Sequence, residues 1–132
     1  MKERILVVED MLENALSALI ALGRYDGVED AVVAGSLSHA LKIVNEFKPT
    51  VALLDINIPG GSGTEVGREL DKRRIPYVYV TGVGRDNGHG HSIVDAIEIK
   101  DKNLKTLLRY ERCSKDPEIW QRAYEILQNG TN

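Results

Sequence analysis

Short apolar runs recur along the chain at residues 5–8, 31–34, 51–54, 77–80 and 96–99, and most of the stretches between them carry apolar residues at helical spacing. Nothing else in the sequence restricts the fold as far, because strands that alternate with helices pack most simply as a parallel sheet covered on both faces. Leu12, Ala15, Leu16, Leu19 and Ile20 predict a first helix that Gly23 can end. Ser36 or Ser38 can cap a second, with Leu37, Ala40, Leu41, Val44 and Phe47 as its inner face and Pro49 as its stop. Residues 64–73 form a weaker third, carrying Val66 and Leu70 and interrupted by Gly67. Glycines 82, 84, 88 and 90 leave room only for a shortened fourth helix starting near Ser92. Asn103 can cap a helix bearing Leu104, Leu107 and Leu108, and Pro117 opens a last one through Ile119, Ala123, Ile126 and Leu127.

Five strands of this kind predict a doubly wound α/β sheet of order 2-1-3-4-5, which binds ligands in the crevice beyond the carboxyl ends of strands one and three. Glu9 and Asp10 end strand one and Asp55 ends strand three. Neighbouring strands stand about 4.8 Å apart, so the three carboxylates repel unless a cation or a proton intervenes. Magnesium suits such a site, since it takes one or two carboxylates and keeps waters and phosphate oxygens as its other ligands. Thr81 and Lys100 end strands four and five, adding a hydroxyl and an ammonium to the same edge. An acid nucleophile, a metal, a hydrogen-bond donor and a fixed positive charge are the parts needed to move a phosphoryl group onto Asp55.

Other chemistries find less support. A chain of 132 residues holds one domain, and 42% hydrophobic with 28% charged residues is an ordinary globular balance. A net charge of −3 leaves Lys72-Arg73-Arg74 as the only compact basic run, read as a solvated helix end. Cys113 stands alone, which excludes an internal disulfide and agrees with a reducing compartment. His89 and His91 lie in a glycine-rich stretch without further ligands nearby, so no metal is assigned to them. No signal peptide or membrane span is legible, and the expected location is the cytoplasm.

With these residues in view, the chain resembles the receiver domain of two-component response regulators, from Arg4 to about Arg109. The stretch ILVVED resembles the family's first strand and acidic pair, implying Asp10 as a direct magnesium ligand and Glu9 as a partner acting mainly through water. LLDINIPGGSG resembles the phosphoacceptor segment, implying Asp55 as the phosphorylated residue and the main-chain carbonyl of Asn57 as a metal ligand. YVYVTG supplies Thr81 as the switch hydroxyl, with small Gly82 leaving room beside it, and AIEIKDKNLKTL supplies Lys100, with Lys102 as the competing lysine. Two positions depart from the family: Asp101 replaces the usual proline, and Ile97 stands in place of the aromatic switch residue. IPYVYVTGVG also resembles the strand-four motif of the single-domain FAT-GUY subgroup.

The resemblance implies a stand-alone, flavodoxin-like receiver at residues 1–112 followed by an extra C-terminal helix at 113–132. It takes a phosphoryl group from a histidine kinase or a histidine phosphotransfer protein, then signals to a partner protein or serves as a phosphate sink. It is no enzyme beyond its own phosphorylation and dephosphorylation. Too few residues follow Lys100 for a DNA-binding output domain, so neither DNA nor membrane is expected as a partner, and the last helix is left for packing or a homodimer. Two alternatives compete. One is a nucleotide-binding domain that cradles phosphate in residues 82–90; the other is a pseudo-receiver that binds a partner without being phosphorylated.

Overall fold

A computed structural model describes residues 2–82, 107–110 and 117–129. Seven strands and four helices lie within them: β1 (Glu3–Val8), α1 (Leu12–Leu22), β2 (Val28–Ala34), α2 (Leu37–Phe47), β3 (Val51–Leu54), β4 (Asn57–Ile58), β5 (Gly61–Ser62), α3 (Gly63–Lys72), β6 (Tyr77–Gly82), β7 (Leu107–Tyr110) and α4 (Pro117–Asn129). Five strands form one parallel sheet in the order β2-β1-β3-β6-β7, and β4 pairs with β5 as a small antiparallel hairpin. This is the doubly wound α/β architecture expected, with the third strand at the expected bounds.

The strands are apolar on both sides because helices cover both sides. Ile5, Val7, Val51, Leu53, Val78 and Val80 join Ala18, Ala21 and Leu22 of α1 and Ile119, Trp120, Ala123 and Tyr124 of α4 in one core cluster. The alternate residues Leu6, Val8, Ala52, Leu54 and Tyr79 face α2 and α3, meeting Ala40, Ile43, Val44, Val66 and Leu70. Ser36, not Ser38, caps α2, accepting from the His39 amide at 3.2 Å. Gly67 does not interrupt α3: a Cβ there would run into the Tyr79 hydroxyl and the Tyr77 ring, so glycine is what lets α3 approach β6. Burial, then the neighbouring Tyr79 and Asp71, push the Tyr77 phenol far above its ordinary pKa, and its hydroxyl donates to Asp71 at 3.0 Å.

One expectation needs correction, the helix over Leu107 and Leu108, and the packing of two helices adds to what the sequence said. The inner face of α1 is Asn14, Ala15, Ala18, Ala21 and Leu22, while Leu12, Leu16, Leu19 and Ile20 face solvent. Trp120 and Tyr124 of α4 fill the space beside α1, which leaves room only for small side chains there. The described fifth strand is β7, where Leu107 and Leu108 were expected on a helix. The strand expected at residues 96–99, the short helix near Ser92 and the glycine-rich residues 83–90 lie outside the described residues. Lastly, α4 buries Trp120 fully and Tyr124 nearly so, which is the packing role, one of the two left open for the last helix. Among the described residues no helix is long and apolar enough to cross a membrane.

Candidate functional site

Strand register decides what meets at the carboxyl edge of the sheet. Val8 of β1 stands level with Leu54 of β3, so Glu9 and Asp55 are the next residue on each strand. Both extend their ladders by one bond: the Asp55 amide donates to the Val8 carbonyl and the Glu9 amide to that of Ala34, each at 2.9 Å. The backbone that carries the acids is therefore held by the sheet, not by a free loop. Asp10 follows directly, and one carboxylate oxygen from each of Glu9, Asp10 and Asp55 lies within 4.8 Å of the others.

Burial grades the three. Glu9 is 2% exposed and Asp55 8% exposed, whereas Asp10 is open to solvent. Local amides receive part of the charge: the Met11 amide donates to the Glu9 carboxylate at 3.1 Å, and the Asn57 amide to that of Asp55 at 3.2 Å. Carboxylates packed together away from water repel one another and favour a nearby positive charge. The oxygen-only donor set, open on the Asp10 side, fits a hard divalent cation such as magnesium.

The loop after β3 is shaped for this edge. The Asn57 contact folds the chain back over the Asp55 carboxylate, and the β4–β5 hairpin returns it so that the Gly63 amide donates to the Ile56 carbonyl at 2.8 Å. A Cβ on Gly63 would overlap the Asp55 carbonyl, so only glycine lets α3 start there. Ser62 caps that start, accepting from the Thr64 amide at 3.2 Å. The hairpin is anchored to α2, whose first free amide, on Leu37, donates to the Pro59 carbonyl at 3.0 Å. Gly63 and the Met11 amide escaped sequence reasoning; the only signal for Gly63 was a glycine recurring after Pro59-Gly60-Gly61.

The remaining residues divide. Glu9, Asp10 and Asp55 converge as expected, and Asn57 is tied to Asp55 through its main chain. Thr81 lies near the end of β6, and since Leu54 is level with Tyr79 it shares the edge of Asp55. Lys100, Lys102, Ile97 and Asp101 lie outside the described residues. The residue that ends β7, beside Gly82 of β6, is Tyr110.

Comparison with known proteins agrees with this geometry. Residues 5–98 match the family described as response regulator receiver domain. The DNA-binding response regulator MtrA of Mycobacterium tuberculosis is 30% identical over 148 aligned positions, covering 98% of this chain and 64% of that protein. The aerobic respiration control protein ArcA of Escherichia coli K12 is 34% identical over 86 positions, covering 63% of this chain and 34% of that protein. Among solved structures, the phosphorylated cyanobacterial phytochrome response regulator RcpA superposes with a TM-score of 0.74 at 21% identity, covering 98% of this chain and 97% of that one. The chain thus spans just under two thirds of the length of MtrA, a regulator described as DNA-binding. That finding overturns the expectation that DNA is excluded as a partner class.

Proposed function

Because the chain belongs to the response regulator receiver family, we propose that it accepts a phosphoryl group on Asp55 and passes the change on as a signal. The observation that carries this reading is the convergence of three carboxylates at the ends of β1 and β3. Asp10 and Asp55 would hold magnesium directly, Glu9 through water, and Asn57 through its carbonyl. A cation held there would supply positive charge against the carboxylates and against phosphoryl oxygens arriving at Asp55.

Asp55 supplies the nucleophile. One of its carboxylate oxygens attacks phosphorus, the new P–O bond makes an acyl phosphate, and the bond to the donor breaks. With a histidine kinase or phosphotransfer protein as donor, that is a P–N bond, and the imidazole leaves with the electron pair and regains a proton. The Asn57 amide holds the attacking carboxylate in place. Attack by water on the acyl phosphate later restores Asp55 and releases inorganic phosphate. Thr81, on the same edge, would donate to the new phosphoryl oxygens, and Lys100 would pair with their charge. In this reading the protein catalyses nothing else, acts in the cytoplasm, and works through a partner or as a phosphate sink.

One observation favours a second reading, a receiver-like module that is never phosphorylated: β7 ends in Tyr110 and not in a lysine. Intact mass after incubation with magnesium and a small phosphodonor separates the two. The wild type should gain the mass of one phosphoryl group and Asp55→Asn none. Equal labelling of the variant, or no labelling of the wild type, would refute the proposal.

A further inference from the structure

A polar side chain lies on the otherwise apolar inner face of α1. Asn14 is 2% exposed and sits in the first turn, on the face that Ala15, Ala18, Ala21 and Leu22 bury. Asparagine is a weaker helix former than alanine, and burying its amide costs free energy that another alanine would not. Side chains of a helix tilt toward its amino end, so Asn14 points back one turn toward the carboxylate edge. There its Nδ2 donates to the Sδ of Met11, the residue that follows Asp10, at 3.7 Å.

Met11 joins the acids to the helix. It holds the N-cap place with no side-chain cap, and methionine, unlike serine or asparagine, has no oxygen to offer the amides of the first turn. Its carbonyl starts α1 by accepting from the Ala15 amide at 3.0 Å, and its amide donates to the Glu9 carboxylate at 3.1 Å. Its side chain is half open to solvent, and Asn14 reaches it from the buried side. We propose that Asn14 is a positioning residue for the acidic edge: by holding the Met11 side chain against the first turn it keeps the Met11 amide on Glu9, and so fixes the Glu9 carboxylate beside Asp10 and Asp55. This rests on the reading above, in which that edge takes magnesium. A cation binds more tightly where its carboxylates are already in place, since ordering them on binding costs free energy. Asn14 in this account gives up helix stability for the geometry of the site.

Calorimetric magnesium titration of the full chain, with urea denaturation of the same samples, tests this. Asn14→Ala should weaken magnesium binding by about threefold, within the range of a single hydrogen bond, while its urea midpoint stays at or near that of the wild type, because the change removes a buried amide and improves the helix. Met11→Leu keeps the main-chain amide and the bulk but loses the sulfur, and should weaken binding to the same degree. The double variant should lose no more than either single one, since both break one contact. Met11→Leu alters a half-exposed position, so it remains informative if Asn14→Ala folds poorly. Unchanged affinity in either variant, beside a wild type that binds magnesium, would overturn this inference alone. So would losses that add in the double variant, or an Asn14→Ala whose urea midpoint falls while its affinity holds, which would make Asn14 a packing residue. A wild type with no affinity for magnesium would overturn the phosphoacceptor reading as well.

Discussion

Glu9, Asp10 and Asp55 were legible in the sequence because each closes an apolar run, and an acid in that position has little local reason to follow four residues that seek the interior. Their grading was not legible: Glu9 and Asp55 are buried while Asp10 faces water. Asp10 is thus the carboxylate a hydrated cation reaches first. Asp10→Ala should lower magnesium affinity by about tenfold or more, about 1.4 kcal/mol, in a calorimetric titration; unchanged affinity would place the cation elsewhere. Gly63 makes the complementary point, since its role comes from the Asp55 carbonyl lying where its side chain would be. Gly63→Ala should cost about 1–3 kcal/mol of unfolding free energy as an overpacked site, read from urea denaturation, and should lower phosphoryl acceptance as Asp55 shifts. A variant as stable and as active as the wild type would contradict that close approach.

At the scale of elements, strands were easier to read than the faces of helices. A four-residue apolar run such as Val51–Leu54 is buried on both sides and admits few other placements. An amphipathic helix instead offers two candidate faces, and α1 carries leucines on one and alanines on the other. The alanines lie inward because Trp120 and Tyr124, about a hundred residues further along the chain, occupy the volume leucines would need. No local pattern could report that. The leucines at 104, 107 and 108 fitted a helix, yet β6 had an edge to pair, and Leu107–Tyr110 took it. Since α4 is part of the core, Trp120→Ala should destabilise the fold by about 3–5 kcal/mol. A thermal or urea midpoint near that of the wild type would show α4 to be a mere appendage.

For the molecule as a whole, the sheet is the device that turns sequence into a site: two parallel strands in register bring acids about 45 residues apart in the chain to one edge. The order of strands was legible from their number and alternation, and the family from the motifs at their ends. Residues 5–98 bear that out, while Lys100 lies past the matched span. DNA as a partner class was misjudged, because the length of a chain does not report what its relatives carry beyond it. The central claim, that the three carboxylates make Asp55 a cation-dependent phosphoacceptor, has one most direct test. The rate of phosphoryl incorporation from a small phosphodonor is followed by mass spectrometry against magnesium concentration, and the modified residue is mapped by fragmentation. The account predicts incorporation on Asp55 alone, rising with magnesium to saturation and abolished by a chelator. Incorporation that ignores magnesium, or that maps to another residue, would contradict it.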